Sequence, residues 1–65
     1  MFGFIEVTEK QTSSKTIVNI NDIIAMIEDG SHTSIQLHDI EFPLITRESY
    51  STVKERLHNA VRPAR

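Results

Sequence analysis

Three histidines, His32, His38 and His58, are the side chains of this 65-residue chain best suited to metal binding or proton transfer. Imidazole is a common metal ligand and changes charge near neutral pH. His38 precedes Asp39, a carboxylate that could set its tautomer, but two adjacent residues at a predicted hairpin turn do not form a pocket. The histidine spacings match no ligand motif. Each histidine is therefore predicted to be a solvated surface residue, and no metal or cofactor is expected.

Carboxylates and hydroxyls are the next candidates for chemistry. General acid–base catalysis by two carboxylates needs a pocket that shifts their two pKa values apart. Strand alternation instead predicts solvent-facing positions for Glu6, Glu28, Glu41 and Glu48. The serines follow no nucleophile-elbow pattern, and two glycines are too few for a phosphate-binding loop. The sequence therefore predicts a protein that is not an enzyme, with no catalytic residue.

Cationic side chains cluster towards the C-terminus, at Lys54, Arg56, Arg62 and Arg65. At helical spacing these four do not share one face, and Glu55 interrupts them. The favoured interpretation is a solvated helix surface that also supports the helix C-terminus. The alternative function is that of a small regulator that contacts DNA or RNA through these four residues or a sheet edge.

Two alternating apolar runs between residues 33 and 45 are the centre of the predicted fold, and they meet at His38 and Asp39. Such alternation is typical of half-buried strands and predicts a β-hairpin with one apolar face. The residues predicted to share that face are Thr33, Ile35, Leu37, Ile40, Phe42 and Leu44. Because Pro43 cannot donate a backbone hydrogen bond, the strand over residues 41–45 is expected at a sheet edge or with a bulge.

The preceding elements are shorter. Residues 2–8 are predicted to form a first strand and residues 16–20 a second, joined by a polar loop over residues 9–15. A helical turn is predicted at residues 21–24, because Asn21 and Asp22 can bond nearby backbone amides, and a strand follows through Glu28. Asp29-Gly30 is a turn signal and is predicted to join this strand to the next one. A bent strand across residues 21–28 is the alternative.

The last element is a helix over residues 50–62, with Ser49 as its N-cap and Pro63 as its stop. Its apolar residues, which lie on an arc of about 100°, are Tyr50, Val53, Leu57, Ala60 and Val61. The expected fold is therefore α+β: a small antiparallel sheet of four to five strands with one C-terminal helix packed on one face. Residues 1–65 are predicted to form one domain, with residues 62–65 as a frayed tail.

Composition restricts the function. A chain this short buries only about 60% of its unfolded surface, which leaves room for one thin core and no large cleft. The absence of cysteine excludes a disulfide framework and a thiolate zinc site. Net charge is −2, so no basic field for phosphate is present. The start MFGFIEV lacks a basic n-region and is soon followed by acidic residues, so neither a signal peptide nor a membrane span is expected, and the predicted location is cytoplasmic.

The order of the elements resembles that of the FlbD-type small flagellar proteins. The similar segments are the strand end at Ile20-Asn21, IAMIE at 24–28, SIQLHD at 34–39 and RESYSTVKERL at 47–57. In that family these positions are structural, so the resemblance implies a fold pattern without a catalytic motif. Ile40 stands where the family usually has a turn glycine, so the turn must differ here. The last strands and helix also look similar to the end of LytTR-type DNA-binding domains, which are longer and more basic.

The chain has more apolar side chains than one helix can cover. The residues predicted to lie opposite the inward sets, as a candidate oligomer interface, are Phe2, Phe4, Ile17, Ile24, Met26 and Ile45, together with Met1. Apolar patches on small domains usually mark interfaces, and a two-fold dimer would cover them with one self-complementary surface. We therefore predict a small bacterial or phage regulatory module that binds a second copy and an unidentified protein partner. The alternative is a monomer whose N-terminal residues fold back over the sheet.

Overall fold

The computed structural model of the chain describes residues 3–61. The predictions made for Met1, Phe2, Arg62, Arg65 and the tail over residues 62–65 lie outside the described residues. The elements in chain order are β1 (Phe4–Thr8), β2 (Lys15–Asn19), a 3-10 turn (Ile20–Asp22), β3 (Ile23–Asp29), β4 (His32–Leu37), β5 (Leu44–Thr46) and α1 (Tyr50–Val61). No helix in this range is long and apolar enough to cross a membrane.

The strands form two small antiparallel sheets rather than one. β1 pairs with β2, and β4 lies between β3 and β5. A single bridge between Glu9 and Thr46 connects the two sheets, and Arg47 donates its backbone N–H to the Thr8 carbonyl at 2.8 Å. The predicted α+β class, with antiparallel strands and one C-terminal helix packed against them, is confirmed.

The core lies between the inner faces of the two sheets and α1. Its buried members are Ile5, Val7, Val18, Ile20, Ile35 and Val53. The alternation in β1, β2 and β4 predicted which of these face inwards, because side chains two apart along a strand share a face. From α1, Val53 is fully buried, and Leu57 and Ala60 pack against the core as partly buried residues. Val61, predicted for the same stripe, is 37% exposed.

Local hydrogen bonds define the turn after β2 and the start of α1. The Asn19 side chain accepts the Asn21 N–H at 2.9 Å, and the 3-10 turn buries Ile20 before β3 begins. The prediction of a short helical turn followed by a strand is confirmed, but the turn begins one residue earlier and ends two residues earlier than predicted, so Ile24 lies in β3. The predicted N-cap is also confirmed, because Ser49 Oγ accepts the Thr52 N–H at 3.3 Å.

The β3–β4 hairpin closes with a two-residue turn, Gly30 and Ser31, between the paired residues Asp29 and His32. Gly30 has a φ of 62°, a conformation that costs glycine little because it has no Cβ. A positive φ at the first of the two central positions is the pattern of a type II′ turn, which matches the twist of the flanking strands. The Asp29-Gly30 turn signal in the sequence therefore predicted this hairpin correctly.

The predicted hairpin over residues 33–45 is wrong in its second half. Ile40 and Phe42 were assigned to the inner face, but they are 50% and 74% exposed, and only Leu44–Thr46 pairs with β4. The chain turns immediately after β4, where Asp39 has a φ of 64°. Pro43 then offers no N–H for a ladder. Residues 38–43 are therefore a loop, and their alternation does not define a strand.

The face predicted for Met26 is also wrong. Met26 packs against the core, whereas its neighbour Ile27 is 57% exposed. The pairing of β3 with β4 shifts between Ile23 and Ala25, as expected for a β-bulge. One extra residue reverses the sides to which all later residues of a strand point. Met26 therefore does not belong to the exposed set.

Shortening Leu57 should destabilise the folded protein. We expect Leu57→Ala to reduce the free energy of unfolding by about 2 kcal/mol or more, because apolar contacts are lost and a cavity is left behind. Urea denaturation followed by circular dichroism measures the change. His58→Ala, at the next and exposed position, is the control and should change stability by less than about 0.5 kcal/mol. Equal stability of the Leu57 variant and the parent would contradict the packing of α1 on the sheets.

Candidate functional site

The structure does not bring the histidines together as a site. His38 Nδ1 lies 3.1 Å from Asp39 Oδ2, but the two side chains are 66% and 86% exposed. His58 is exposed on α1, and His32 lies at the start of β4. Within residues 3–61, no group of three His, Cys, Asp or Glu side chains is placed to hold a metal ion.

The densest polar cluster surrounds Glu48, between β5 and α1. Its carboxylate accepts the Thr8 N–H at Oε1 and the Thr8 hydroxyl at Oε2, both at 2.9 Å. Arg56 Nη1 lies 3.1 Å from Oε2 and also donates to the Glu6 carbonyl at 2.7 Å. The Glu48 side chain is only 13% exposed. The prediction that it faces solvent is therefore wrong, because Glu48 follows β5 and strand alternation does not apply to it.

The backbone carbonyl of Glu48 completes this cluster. It accepts the hydroxyl of Thr33 at 3.0 Å and that of Thr46 at 3.2 Å. Both threonines are fully buried, so their hydroxyls need partners inside the protein. Glu48 thus connects β1, β4, β5 and α1 through one residue.

Glu48 and Arg56 also cover part of the second edge of β1. β1 pairs with β2 on one side only, and its other edge has no full strand partner among residues 3–61. The Thr8 N–H and the Glu6 carbonyl on that edge are bound by Glu48 and Arg56. Exposed edges promote unwanted strand pairing, and charged side chains are a common protection against it.

These contacts change the set of candidate phosphate-binding residues. Arg56 was one of four cations in the nucleic-acid hypothesis, but it is bound to Glu48 and to the Glu6 carbonyl. Lys54 is exposed on α1, and Arg62 and Arg65 lie outside the described residues. Of the two candidate cations within residues 3–61, Arg56 is therefore paired and Lys54 is exposed.

Two opposing effects act on the pKa of Glu48. Burial raises this pKa, but hydrogen bonds from the Thr8 backbone and hydroxyl and from Arg56 lower it, and the net pKa lies below its ordinary value of 4.5. The pKa of Glu9 is also lowered, chiefly by the backbone and side-chain hydrogen bonds from Thr12. The ionised form of both carboxyl groups is therefore stabilised in the folded protein.

The first exposed apolar surface is the outer face of the β1–β2 hairpin, called here the ribbon face. Its members are Phe4, Glu6, Thr8, Lys15, Ile17 and Asn19. Phe4 and Ile17 are 62% and 64% exposed. Because Phe4 pairs with Asn19 and Glu6 with Ile17, the two apolar side chains are diagonal neighbours. Ile40 lines the same shallow depression as Ile17, so the apolar surface continues towards the β4–β5 loop.

The second exposed surface is the outer face of the three-stranded sheet, called here the sheet face. Ile27 pairs with Ser34, and Ser34 pairs with Ile45, so the three residues form a row across β3, β4 and β5. Ile24, near the bulge, is 61% exposed beside this row. The interface residues predicted from sequence therefore separate into two groups, Phe4 with Ile17 and Ile24 with Ile45. Ile27 was missed because the bulge is not visible in the sequence.

No family model, curated protein or solved structure matched this chain. From its structure, the chain is a small α+β domain with two exposed apolar faces and one polar cluster that joins its strands to the helix.

Replacing Glu48 should reveal this cluster as a pH-dependent stabiliser. Because the pKa is lowered on folding, ionised Glu48 stabilises the folded state above pH 4.5, and this contribution is lost as the pH falls through its folded-state value. We expect Glu48→Gln to lower the free energy of unfolding by roughly 1.5–3 kcal/mol at pH 7. Below pH 4.5, the difference between variant and parent should shrink.

Urea denaturation at a series of pH values measures both effects. The matched control is Glu55→Gln, which neutralises an exposed carboxylate on α1. Part of the acid-side loss of stability should persist in the Glu48 variant, because the pKa of Glu9 is lowered as well. A pH-independent difference between Glu48→Gln and the parent would show that the carboxylate charge is not what stabilises the cluster.

Proposed function

We propose that this chain is a protein-binding module that acts without catalysis and associates with a second copy through its ribbon face. The observation that carries the proposal is the adjacent exposure of Phe4 and Ile17 on one face of a two-stranded ribbon. Single exposed apolar residues are ordinary, but neighbouring ones on a small domain favour an interface. Ile40 extends the patch.

The charges of the ribbon face suit a two-fold contact. Glu6 and Lys15 lie on the same face as Phe4 and Ile17, so it carries one charge of each sign. In a two-fold dimer the same surface meets itself, and a face with both signs can place Glu6 of one copy near Lys15 of the other. Charge arrangement of this kind contributes mainly to specificity and orientation.

The apolar area available makes this dimer a weak one. Covering the exposed parts of two aromatic and two aliphatic side chains removes roughly 400–500 Å² from water, which corresponds to about 10 kcal/mol. Association costs about 4–15 kcal/mol in lost freedom. The two free-energy terms are similar, so we expect a dissociation constant in the micromolar range or higher. A regulatory contact that must be reversible suits this range.

The proposed setting is the cytoplasm of a bacterium or a phage-infected cell. The chain contains no cysteine, whereas small domains of secreted proteins usually depend on disulfides. The bacterial or phage setting follows from the resemblance to FlbD-type small flagellar proteins. A regulatory role suits a small domain with exposed apolar surfaces.

Self-association should depend on Phe4. Size exclusion with light scattering on the parent is expected to give a mass that rises towards two chains as the protein concentration passes through the micromolar range. Phe4→Glu should give the mass of one chain and retain its circular dichroism spectrum. The control is Phe42→Glu, the same substitution at a loop side chain that is 74% exposed. A constant monomer mass for the parent, or an equal effect of both substitutions, would refute this interface.

The nucleic-acid alternative predicts a different result. A phosphate binder should retard duplex or single-stranded probes in a gel, with an affinity that falls steeply with salt. We expect no retardation at micromolar protein, because Arg56 is bound within the Glu48 cluster. Salt-sensitive retardation by the full 65-residue chain would favour the alternative instead.

A further inference from the structure

Charge is distributed unevenly between the two sheets. Residues 16–46, which include β3, β4 and β5, contain five acidic residues and no Lys or Arg, a formal charge of −5. The remainder of the chain contains seven Lys and Arg and four acidic residues, a formal charge of +3. Three of the five acidic residues, Asp22, Glu28 and Asp29, lie on or next to β3. The acidic character is therefore concentrated at one side of the fold.

β3 is an outer strand of its sheet, and no strand within residues 3–61 pairs with its free edge. The bulge disturbs the strand near Ile24, which leaves a regular edge over residues 25–29. In an antiparallel ladder, alternate residues direct their backbone groups towards the partner. The pair formed by Asp29 and His32 closes the hairpin, so the backbone groups of Met26 and Glu28 point to the free edge. The backbone N–H of His38, directly after β4, donates to the Asp22 carbonyl at 2.7 Å. This bond continues the same alternation between β3 and β4.

Apolar side chains flank this acidic edge. Ile24 and Ile27 are 61% and 57% exposed, and Ile27 continues into the row with Ser34 and Ile45. An added strand would place alternate side chains over this row and the others on the opposite face, on the side of Glu28. The edge thus combines free backbone groups, apolar contact area and negative charge.

We propose that the free edge of β3 binds an extended cationic segment of another protein, which adds to the sheet as a further strand. Backbone hydrogen bonds at Met26 and Glu28 hold the segment, and its apolar side chains cover Ile27. Its Lys or Arg side chains point to the opposite face and lie near Glu28. This inference rests on the proposed protein-binding function and assigns a partner chemistry to a second surface.

A second copy does not suit this edge. In an antiparallel pair of two β3 strands, Glu28 and Asp29 at the end of one strand approach Asp22 at the start of the other. No Lys or Arg of β3 is available to compensate, and like charges placed close together destabilise a strand pair. The ribbon face, which carries both signs of charge, has no such conflict. The two surfaces therefore select different occupants.

Fluorescence anisotropy with labelled peptides tests the proposal on the full chain. The probe is a short peptide of alternating Lys and Val. Its controls are an alternating Glu and Val peptide of equal length and the Lys peptide N-methylated at alternate backbone nitrogens. We expect saturable binding of the first peptide only, at least tenfold weaker when salt rises from about 50 to about 500 mM. Equal binding of the N-methylated peptide would overturn strand addition, and equal binding of the Glu peptide would overturn the charge assignment.

Substitutions at Glu28 test separately the contributions of its backbone N–H and of its carboxylate charge to peptide binding. Glu28→Pro removes an N–H that points to the free edge without removing a bond to β4, whereas Glu28→Gln removes only the charge. We expect the affinity for the Lys peptide to fall about tenfold or more with Pro and a few-fold with Gln. If the Pro variant does not fold, as judged by its circular dichroism spectrum, the double variant Glu28→Lys/Asp29→Lys tests the proposal. This variant should bind the Glu peptide more tightly than the Lys peptide. An unchanged preference in that variant would overturn the proposal.

The two proposals fail independently. Phe4→Glu should abolish the dimer and leave peptide binding unchanged, so a monomeric parent that binds the Lys peptide would refute only the dimer. Amide chemical shifts of residues 25–29 should move on addition of the Lys peptide. If these shifts move with protein concentration in the absence of peptide, a second copy occupies the edge and the proposal is overturned. Peptide-induced shifts confined to other elements would also overturn it.

Discussion

The hydrogen bonds of Glu48 are the constraint on which the rest of this structure depends. Its carboxylate binds the Thr8 backbone and hydroxyl, and its carbonyl binds the buried hydroxyls of Thr33 and Thr46. Each buried hydroxyl without a partner would cost about 1–3 kcal/mol, a large part of the stability of a small domain. Within residues 3–61 the two sheets are joined by one bridge and the two backbone hydrogen bonds beside it, so this cluster adds side-chain connections to a short line of backbone contacts.

One helix and two sheets leave two faces uncovered. α1 has 12 residues, about 18 Å of helix, and it packs on the inner faces of β1, β3 and β4. It cannot also cover the outer faces, so Phe4, Ile17, Ile24 and Ile27 stay exposed. In so small a domain the fold that buries one core necessarily presents apolar surface elsewhere. Exposed apolar faces are therefore a consequence of the architecture.

Charge distinguishes these surfaces from each other. The ribbon face carries Glu6 and Lys15, whereas the charged residues of β3 itself, Glu28 and Asp29, are both acidic. Apolar area gives affinity without much selectivity, and the arrangement of charge determines which partner is tolerated. A balanced face favours a copy of itself, and an acidic edge favours a cationic segment. In the two proposals, the ribbon face and the edge of β3 thus have different occupants.

The sequence by itself determined the elements that depend on local chemistry. Alternation predicted the buried sides of β1, β2 and β4, Asp29-Gly30 predicted the tight hairpin, and Ser49 predicted the start of α1. Tertiary structure decided the rest. Met26 and Ile27 exchange sides because a bulge forms where β3 meets β4, and Ile40 belongs to a loop because the chain turns at Asp39. Glu48 and Arg56 looked like solvated charges, since their partners are up to 50 residues away in sequence and only folding brings them within hydrogen-bond distance.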